Sequence, residues 1–209
     1  IEEWKNNGLI NDNEYYFLLA TLIETIDKYA NTASVYGAYL KKLKKTAQKT
    51  IVLKPAELII NDKDHKVFNE DINQLIQKIE GDILYLDPPY NQRQYATNYH
   101  LLETIAKYDN PEIHGKTGLR NYEDQKSVYC SRAKVKSVFK NLVINAKVKY
   151  IFLSYNNEGL MTVNDIKEIM NLRGKYGYFT KAYGRFKADK SRNYSADKTT
   201  EYLHYVVCD

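Results

Sequence analysis

The chain has 209 residues, of which 44% are hydrophobic and 27% charged, a balance typical of a folded globular protein and not of a disordered one. Its net charge of +5 is compatible with a polyanionic partner but is also common among proteins without one. No apolar run approaches the roughly 20 residues that span a bilayer, and no charged-then-apolar leader opens the sequence. We therefore expect a cytoplasmic protein without a membrane partner.

The cysteines and histidines are too scattered to predict a cross-link or a metal site. Cys130 and Cys208 match no disulfide or ligand spacing, and the four histidines are equally dispersed. We expect reduced thiols and no metal. The chain opens at Ile1 rather than at methionine, and we expect it to be a fragment of a longer protein.

Two amphipathic helices are predicted within the first 50 residues. The first spans 12–30, with Asp12 or Asn13 as its N-cap. The second follows Ser34, and its apolar stripe consists of Tyr36, Tyr39, Leu40 and Leu43. The rest of its surface carries lysines 41, 42, 44 and 45. These lysines form either a solvated face or a surface that contacts phosphates.

From Ile51 onward, helices alternate with short extended segments. The predicted elements up to residue 131 are extended pieces at 51–53, 58–60 and 66–68, a helix over 72–79 that ends at Gly81, a buried strand at 83–86, a helix on 101–106 and a long polar loop over 109–131. Beyond it we predict a helix capped by Ser131, a strand at 150–154, a helix capped by Thr162 and closed by Gly174, and two strands at 178–186 and 201–207. This alternation predicts an α/β fold with a largely parallel sheet and an antiparallel edge.

The tetrapeptide Asp87-Pro88-Pro89-Tyr90 directly follows a predicted strand, where open α/β sheets place their ligands. Its prolines fix the backbone and leave carbonyl acceptors without N–H donors. The Asp87 carboxylate and the Pro88 carbonyl could each accept one N–H of an exocyclic amine, which localises the lone pair and stabilises the positive charge that develops during methylation. Tyr90 could stack on a base that has left the duplex. The plainer interpretation is a strand-end turn with a capping aspartate.

Several segments carry a family resemblance. They are 31–37, 87–95 with 98–106, 114–120, 129–131, 153–160, and 185–192 with 201–203. Together they resemble the Dam-like class of DNA adenine-N6 methyltransferases of restriction–modification systems. The resemblance implies a Rossmann-like methyltransferase sheet, carried here by the catalytic part at 61–209, and an inserted helical DNA-recognition piece at 1–60.

The same resemblance implies S-adenosylmethionine as the methyl donor, with Asp71 and Ile72 holding its adenine and Asp87 beside it. Asp71 also suits a helix N-cap, and the two roles can coexist. The implied partners are double-stranded DNA and a cognate restriction endonuclease. The residues we expect to contact DNA are Asn91, Arg93, Tyr95, Lys116, Arg120, Lys187, Lys190 and Arg192. For each of these cations, a solvated surface charge is the open alternative.

One departure from the family concerns its Phe-x-Gly-x-Gly element, which wraps the methionine part of the cofactor. The chain contains no G-x-G, so we expect the first strands and half of the cofactor pocket to be missing. Either the chain is a fragment of a longer enzyme, or another chain supplies that half. The chain alone should bind the cofactor weakly or not at all. Two alternatives stay open: a cytosine-N4 methyltransferase, which more often carries serine in place of Asp87, and a non-catalytic DNA-binding subunit.

Overall fold

The computed structural model describes residues 1–32, 35–38, 40–184 and 198–209. The chain divides into two compact units, of which the first comprises 1–64 and 96–123 and the second comprises 65–95 and 124–209. The helices are α1 (Glu2–Asn6), α2 (Asp12–Tyr29), α3 (Ile72–Leu75), α4 (Tyr95–Lys107), α5 (Val135–Asn145) and α6 (Val163–Met170). The strands are β1 (Glu80–Leu86), β2 (Ile113–His114), β3 (Leu119–Arg120), β4 (Lys147–Asn156), β5 (Gly174–Gly184) and β6 (Lys198–Cys208). Residues 96–123 group with the N-terminal residues, although they lie within the predicted catalytic part.

The long helix α2 begins with a capping box. The Asn11 side chain accepts a hydrogen bond from the Glu14 N–H at 3.0 Å, and the Glu14 carboxylate accepts one from the Asn11 N–H at 2.8 Å. The predicted helix over 12–30 is therefore confirmed. Its N-cap is Asn11 rather than Asp12 or Asn13, because the glutamate that completes the box stands three residues after Asn11.

The second predicted helix, after Ser34, is wrong for the residues that the structure describes; Ser34 itself lies outside them. Residues 35–38 and 40–48 form turns and bends that end in one 3-10 turn. Tyr36 is buried, and its N–H donates to the Asn98 carbonyl at 2.7 Å within the same unit. This tertiary contact, together with repulsion among the adjacent lysines, outweighs the helical pattern.

The extended pieces predicted at 51–53, 58–60 and 66–68 form no strand. Their side chains are exposed, and Ile59 and Val67 are 92% and 95% exposed. A β-branched segment becomes a strand only when a neighbouring strand completes its hydrogen bonds and covers its side chains. Within the described residues these segments have no such neighbour, so their strand propensity is not realised.

The second unit contains a four-stranded sheet in the order β1-β4-β6-β5. Strands β1 and β4 are parallel, whereas β4 pairs antiparallel with β6 and β6 antiparallel with β5. The α/β class and the antiparallel closing pair are therefore confirmed. The described sheet is mixed rather than largely parallel, since only one of its three strand pairs is parallel.

One face of this sheet carries the hydrophobic core. Alternate residues of β4, namely Ile151, Leu153 and Tyr155, are at most 1% exposed. They belong to one apolar cluster with the buried sides of α5 and α6. As predicted, α6 is capped by Thr162, whose hydroxyl accepts from the Asp165 N–H at 3.1 Å.

Apolar residues on the other face of the sheet are exposed to solvent. The predicted strand at 83–86 is confirmed as β1, but it is buried on one side only: Leu86 is buried, whereas Ile83 and Tyr85 are 64% and 60% exposed. Phe179 of β5 is exposed on the same face. A strand with apolar residues on both sides is typical of a sheet that is covered on both faces.

Three predicted helix boundaries are displaced. Gly81 does not end the α3 helix but pairs with Val148 in the sheet, because the β1–β4 ladder already begins at the preceding residue. Ser131 precedes a turn, and α5 starts only at Val135. Gly174 opens β5 with φ at +142°, where a Cβ atom would lie 2.1 Å from a backbone carbonyl oxygen.

The long polar loop predicted over 109–131 is partly ordered. It contains the antiparallel pair β2–β3 and two 3-10 turns, Glu123–Gln125 and Val128–Cys130. The hairpin lies in the first unit, whereas the second turn belongs to the other.

Candidate active site

The tetrapeptide Asp87-Pro88-Pro89-Tyr90 lies at the carboxyl end of β1. Because β1 and β4 are parallel and Leu86 pairs with Leu153, the ends of both strands reach the same edge of the sheet. Asp87 is exposed, and both prolines are half-buried. The carboxylate is therefore presented to solvent on a backbone that the prolines restrict.

Tyr90 is held by the carboxyl end of β4 and by the turn that follows it. Its carbonyl oxygen accepts from the Leu160 N–H at 2.9 Å. Its ring meets that of Tyr155 edge to face, with 6.4 Å between centroids and an angle of 85° between the planes. The side chain remains 38% exposed, so part of the ring faces outward.

The segment after Tyr90 is anchored to residues 127–130. The Gln94 side chain donates to the Ser127 carbonyl at 3.1 Å and accepts from the Ser127 N–H at 2.7 Å. The Cys130 thiol donates to the Arg93 carbonyl at 3.2 Å, and burial raises the pKa of Cys130. The Arg93 N–H donates to the Asn91 side chain at 2.8 Å. The side chains of Asn91, Arg93 and Tyr95, predicted to contact DNA, are exposed.

Asp71 is the N-cap of α3. Its Oδ1 accepts from the N–H groups of Asn73 and Gln74 at 2.9 and 3.2 Å, and Ile72 is half-buried as the first helical residue. The Asn73 amide donates to the Val138 carbonyl at 2.8 Å, which fixes α3 on α5. The structural role that the sequence allowed for Asp71 is therefore realised in this unit.

The two predicted DNA contacts of the first unit differ in environment. Lys116 is exposed, whereas Arg120 is buried and donates through Nη1 to Asp109 at 3.0 Å. The Arg120 guanidinium lowers the pKa of the Asp109 carboxyl. Arg120 thus has an ion-pair partner inside its own unit, and its contact with DNA stays a prediction. Lys187, Lys190 and Arg192 lie outside the described residues.

All six residues with predicted catalytic or cofactor roles lie in the second unit: Asp71 and Ile72 at the start of α3, and the four residues of the tetrapeptide. The interactions that hold them were not foreseen: the Tyr155 contact, the Gln94–Ser127 pair and the Asn73 bridge. A tyrosine and a glycine within 153–160 were visible as part of the resemblance, but nothing local indicated which side chain they meet. The described part of the chain holds no group of three metal-ligating side chains and no helix long and apolar enough to cross a membrane.

Comparison with known proteins identifies the family. Residues 3–169 match the family model described as D12 class N6 adenine-specific DNA methyltransferase. The type II methyltransferase M.NlaIII of Neisseria lactamica is 57% identical over 208 residues, which are 99% of this chain and 62% of that protein. M.FokI of Planomicrobium okeanokoites is 43% identical over 212 residues, 100% of this chain and 32% of that protein. M.CviAII of Paramecium bursaria Chlorella virus 1 is 38% identical over 201 residues, 96% of this chain and 59% of that protein.

No solved structure matches the chain. The chain spans from about a third to three fifths of the length of these relatives. The family match covers well over half of the chain and includes the tetrapeptide at the end of β1. The chain belongs to the D12 class of N6 adenine-specific DNA methyltransferases.

Proposed function

We propose that this chain carries the catalytic motif of a site-specific DNA methyltransferase that transfers a methyl group from S-adenosylmethionine to the N6 amine of a flipped-out adenine. The observation that carries the proposal is the exposed Asp87 carboxylate at the carboxyl end of β1, on a backbone fixed by two prolines and by the bond from Leu160 to Tyr90. The names of the relatives place them among type II modification enzymes, which supports a role in restriction–modification.

The chemistry must overcome the low nucleophilicity of the adenine amine. Its lone pair is delocalised into the ring, so the nitrogen is a poor nucleophile. The Asp87 carboxylate and the Pro88 carbonyl would each accept one N–H, which favours a tetrahedral nitrogen and places negative charge beside the developing positive charge. As the N6–carbon bond forms and the sulfur–carbon bond breaks, the surplus proton leaves the nitrogen for solvent.

The methyl group would come from the sulfonium of S-adenosylmethionine, and Asp71 fits a role in holding that molecule. Both capping bonds of Asp71 use Oδ1, and the carboxylate is exposed. Its Oδ2 is then suited to accept from the amine of the cofactor's adenine, while the Ile72 N–H, one of the first N–H groups of α3, is suited to donate to the ring. The capping bonds thereby fix the carboxylate that would accept a hydrogen bond from the cofactor's adenine.

Each unit by itself carries side chains suited to contact DNA. In the second unit, Asn91, Arg93 and Tyr95 follow the tetrapeptide directly and are suited to contact the extruded nucleotide. In the first unit, Lys116 is exposed, and a separate group of Lys28, Lys49 and Lys54 borders a cavity of about 160 Å³. We assign sequence recognition to this unit. The proposal also includes DNA contacts by Lys187, Lys190, Arg192 and the ion-paired Arg120.

The sheet of this chain is, in our proposal, part of a larger Rossmann-like methyltransferase sheet. Two observations support this. In the described sheet β1 is an edge strand that pairs with β4 on one side, and Ile83 and Tyr85 are exposed on the open face. The relatives contain more sequence than this chain covers, and that sequence would supply the glycine motif, the first strands and the rest of the cofactor site. The complete protein would act in the cytoplasm, on cellular DNA, beside a cognate endonuclease.

Transfer of a labelled methyl group from S-adenosylmethionine to mixed-sequence DNA tests the proposal. Four proteins are compared: this chain, the full-length protein, and the full-length protein with Asp87→Ala or Asp82→Ala. Asp82 is the matched control, because it is an exposed aspartate on the same strand whose partner is Lys149 at 2.8 Å. Loss of that exposed ion pair should leave the stability of the protein nearly unchanged.

Methylated adenine should form with the full-length protein and the Asp82→Ala variant, and fall at least about 100-fold with Asp87→Ala. This chain alone should show little or no transfer. If no form transfers methyl groups but DNA binding is retained, the protein is a non-catalytic DNA-binding subunit and not an enzyme. Methylated cytosine in place of adenine would contradict the adenine assignment.

A further inference from the structure

Tyr155 lies at the carboxyl end of β4, beside the end of the strand that carries Asp87. It is 1% exposed, although tyrosine has a polar hydroxyl that needs a partner when buried. Neither the family description nor the motif chemistry gives this residue a role. Its contacts run to the tetrapeptide and to the turn after β4.

The ring of Tyr155 supports the ring of Tyr90. The two meet edge to face at 6.4 Å and 85°, which is the favoured arrangement for two aromatic rings. Tyr90 is 38% exposed overall, so the contact with Tyr155 leaves part of the residue accessible. A base that stacks on Tyr90 would therefore meet a ring whose orientation Tyr155 already restricts.

The hydroxyl of Tyr155 fixes the backbone to which Tyr90 is bound. It accepts from the Leu160 N–H at 3.1 Å and from the Met161 N–H at 3.4 Å. The Leu160 N–H also donates to the Tyr90 carbonyl at 2.9 Å, so one N–H is shared between the hydroxyl and the motif. Burial raises the pKa of Tyr155, which keeps the hydroxyl neutral at ordinary pH.

Gly159 lets the chain pass close over the Tyr155 ring. A Cβ atom at this position would lie 2.1 Å from Cε1 of Tyr155 and 2.8 Å from Cζ. The turn is further tied to β6, since the Asn157 side chain accepts from the Thr200 N–H at 3.0 Å. The ring, the glycine and the turn therefore have one well-defined arrangement.

We propose that Tyr155, with Gly159 packed on it, is a positioning residue for base methylation: its ring backs Tyr90 and its hydroxyl sets the backbone that binds the Tyr90 carbonyl. The inference rests on the proposed function. Tyr155 touches neither the base nor the methyl donor in this scheme. It acts through Tyr90, by holding the stacking surface and the adjacent Pro88 carbonyl in register with the amine.

The test uses the full-length protein and three variants, Tyr155→Phe, Tyr155→Leu and Tyr150→Phe. The first removes only the hydroxyl, the second also removes the aromatic ring, and the third is a control on the open side of the same strand. Duplexes carry the site found by mapping methylated adenines, with adenine or with fluorescent 2-aminopurine at the target. Methyl-transfer kcat and KM, 2-aminopurine fluorescence and thermal unfolding are measured for each protein.

Tyr155→Phe should lower kcat about threefold to tenfold with the KM for S-adenosylmethionine unchanged, because the 160–161 backbone that binds the Tyr90 carbonyl loses its anchor. Tyr155→Leu should lower kcat further. It should also lower the flipped fraction reported by 2-aminopurine fluorescence about threefold to tenfold, the range that corresponds to the loss of an aromatic pair. Tyr150→Phe, which leaves the contacts among Tyr90, Tyr155 and Leu160 intact, should match the wild type in kcat, KM and 2-aminopurine signal.

A lower melting temperature of the Tyr155 variants with unchanged kcat and unchanged 2-aminopurine signal would overturn the inference and leave Tyr155 a structural residue. If Tyr155→Leu fails to fold, Tyr155→Phe decides the matter by its kcat. Absence of adenine methylation by the wild-type protein would instead overturn the proposed function, and this inference with it.

Discussion

His204 is a buried histidine whose surroundings disfavour the protonated ring. It is 1% exposed, the Tyr176 hydroxyl lies 2.8 Å from Nδ1, and the Tyr202 ring stacks on it at 5.3 Å. Burial raises the pKa of Tyr176 to about 12, so its hydroxyl is protonated and can donate to a neutral imidazole. Burial lowers the pKa of His204 from 6.5 to about 4.

The free energy of unfolding should fall as pH decreases from 6.5 to about 4. In that interval the unfolded histidine binds a proton and the folded one does not, so protonation favours the unfolded chain. The stabilisation present above pH 6.5 and lost by about pH 4 is roughly 3 kcal/mol. Urea unfolding of the full-length protein and of His204→Gln, which does not titrate, measures it. The gap between the two proteins should narrow as pH falls, and a gap that is the same at every pH would contradict the expectation.

Helix α3 shows how one side chain can serve an element and a ligand at once. Asp71 satisfies two N–H groups at the start of a helix of only four residues, which would be marginal without its cap and its packing on α5. In the proposed function the same carboxylate also reads the adenine of S-adenosylmethionine. The two roles need different properties, since a cap requires an acceptor oxygen and the adenine contact is strengthened by a negative charge.

Substitution of Asp71 should separate the two roles in the full-length protein. Asp71→Ser keeps a capping oxygen, so its melting temperature should stay near that of the wild type, whereas Asp71→Ala should cost about 1 kcal/mol. Both variants lose the carboxylate and should raise the KM for S-adenosylmethionine about tenfold or more. Thermal unfolding and methyl-transfer kinetics check this. An unchanged KM in Asp71→Ser would leave Asp71 with the cap alone.

Elements with strong local signals were predictable from the sequence. Helix α6 has its capping threonine, β1 runs into Asp87, and the closing strands pair as expected. The segments 51–53 and 66–68 were misassigned because strand formation depends on a partner elsewhere in the chain. The helix after Ser34 was misassigned because the burial of Tyr36 against the α4 segment outweighs periodicity.

The candidate site divides in the same way. The position of Asp87 at a strand end follows from a local pattern, as does the capping role of Asp71. The Tyr155 backing of Tyr90 depends on the parallel register of β1 and β4, which joins residues 65 positions apart and has no local signal. The ion pair of Arg120 with Asp109 is equally invisible in a sequence that shows only an arginine in a polar loop.

At the scale of the whole molecule, the second unit is a sheet with a core on one face only. Its other face presents Ile83, Tyr85 and Phe179, each at least 60% exposed, on strands whose apolar pattern suits burial on both sides. An apolar face of this kind in a protein of this class is normally covered. The relatives are longer than this chain. We propose that sequence corresponding to their additional part covers this apolar face in the complete protein.

The substitution Ile83→Ser in the full-length protein tests this coverage. With Ile83 64% exposed as described, the change should alter the free energy of unfolding by no more than about 0.5 kcal/mol. If additional strands and helices bury the side chain, the cost should be about 1.5–3 kcal/mol. Asp82→Ser, at the neighbouring exposed position, is the matched control and should stay near zero in either case. Urea unfolding at constant pH gives both values, and we expect the larger cost for Ile83. A cost near zero would mean that the face stays open in the complete protein, and the sheet would then have to be regarded as one-sided.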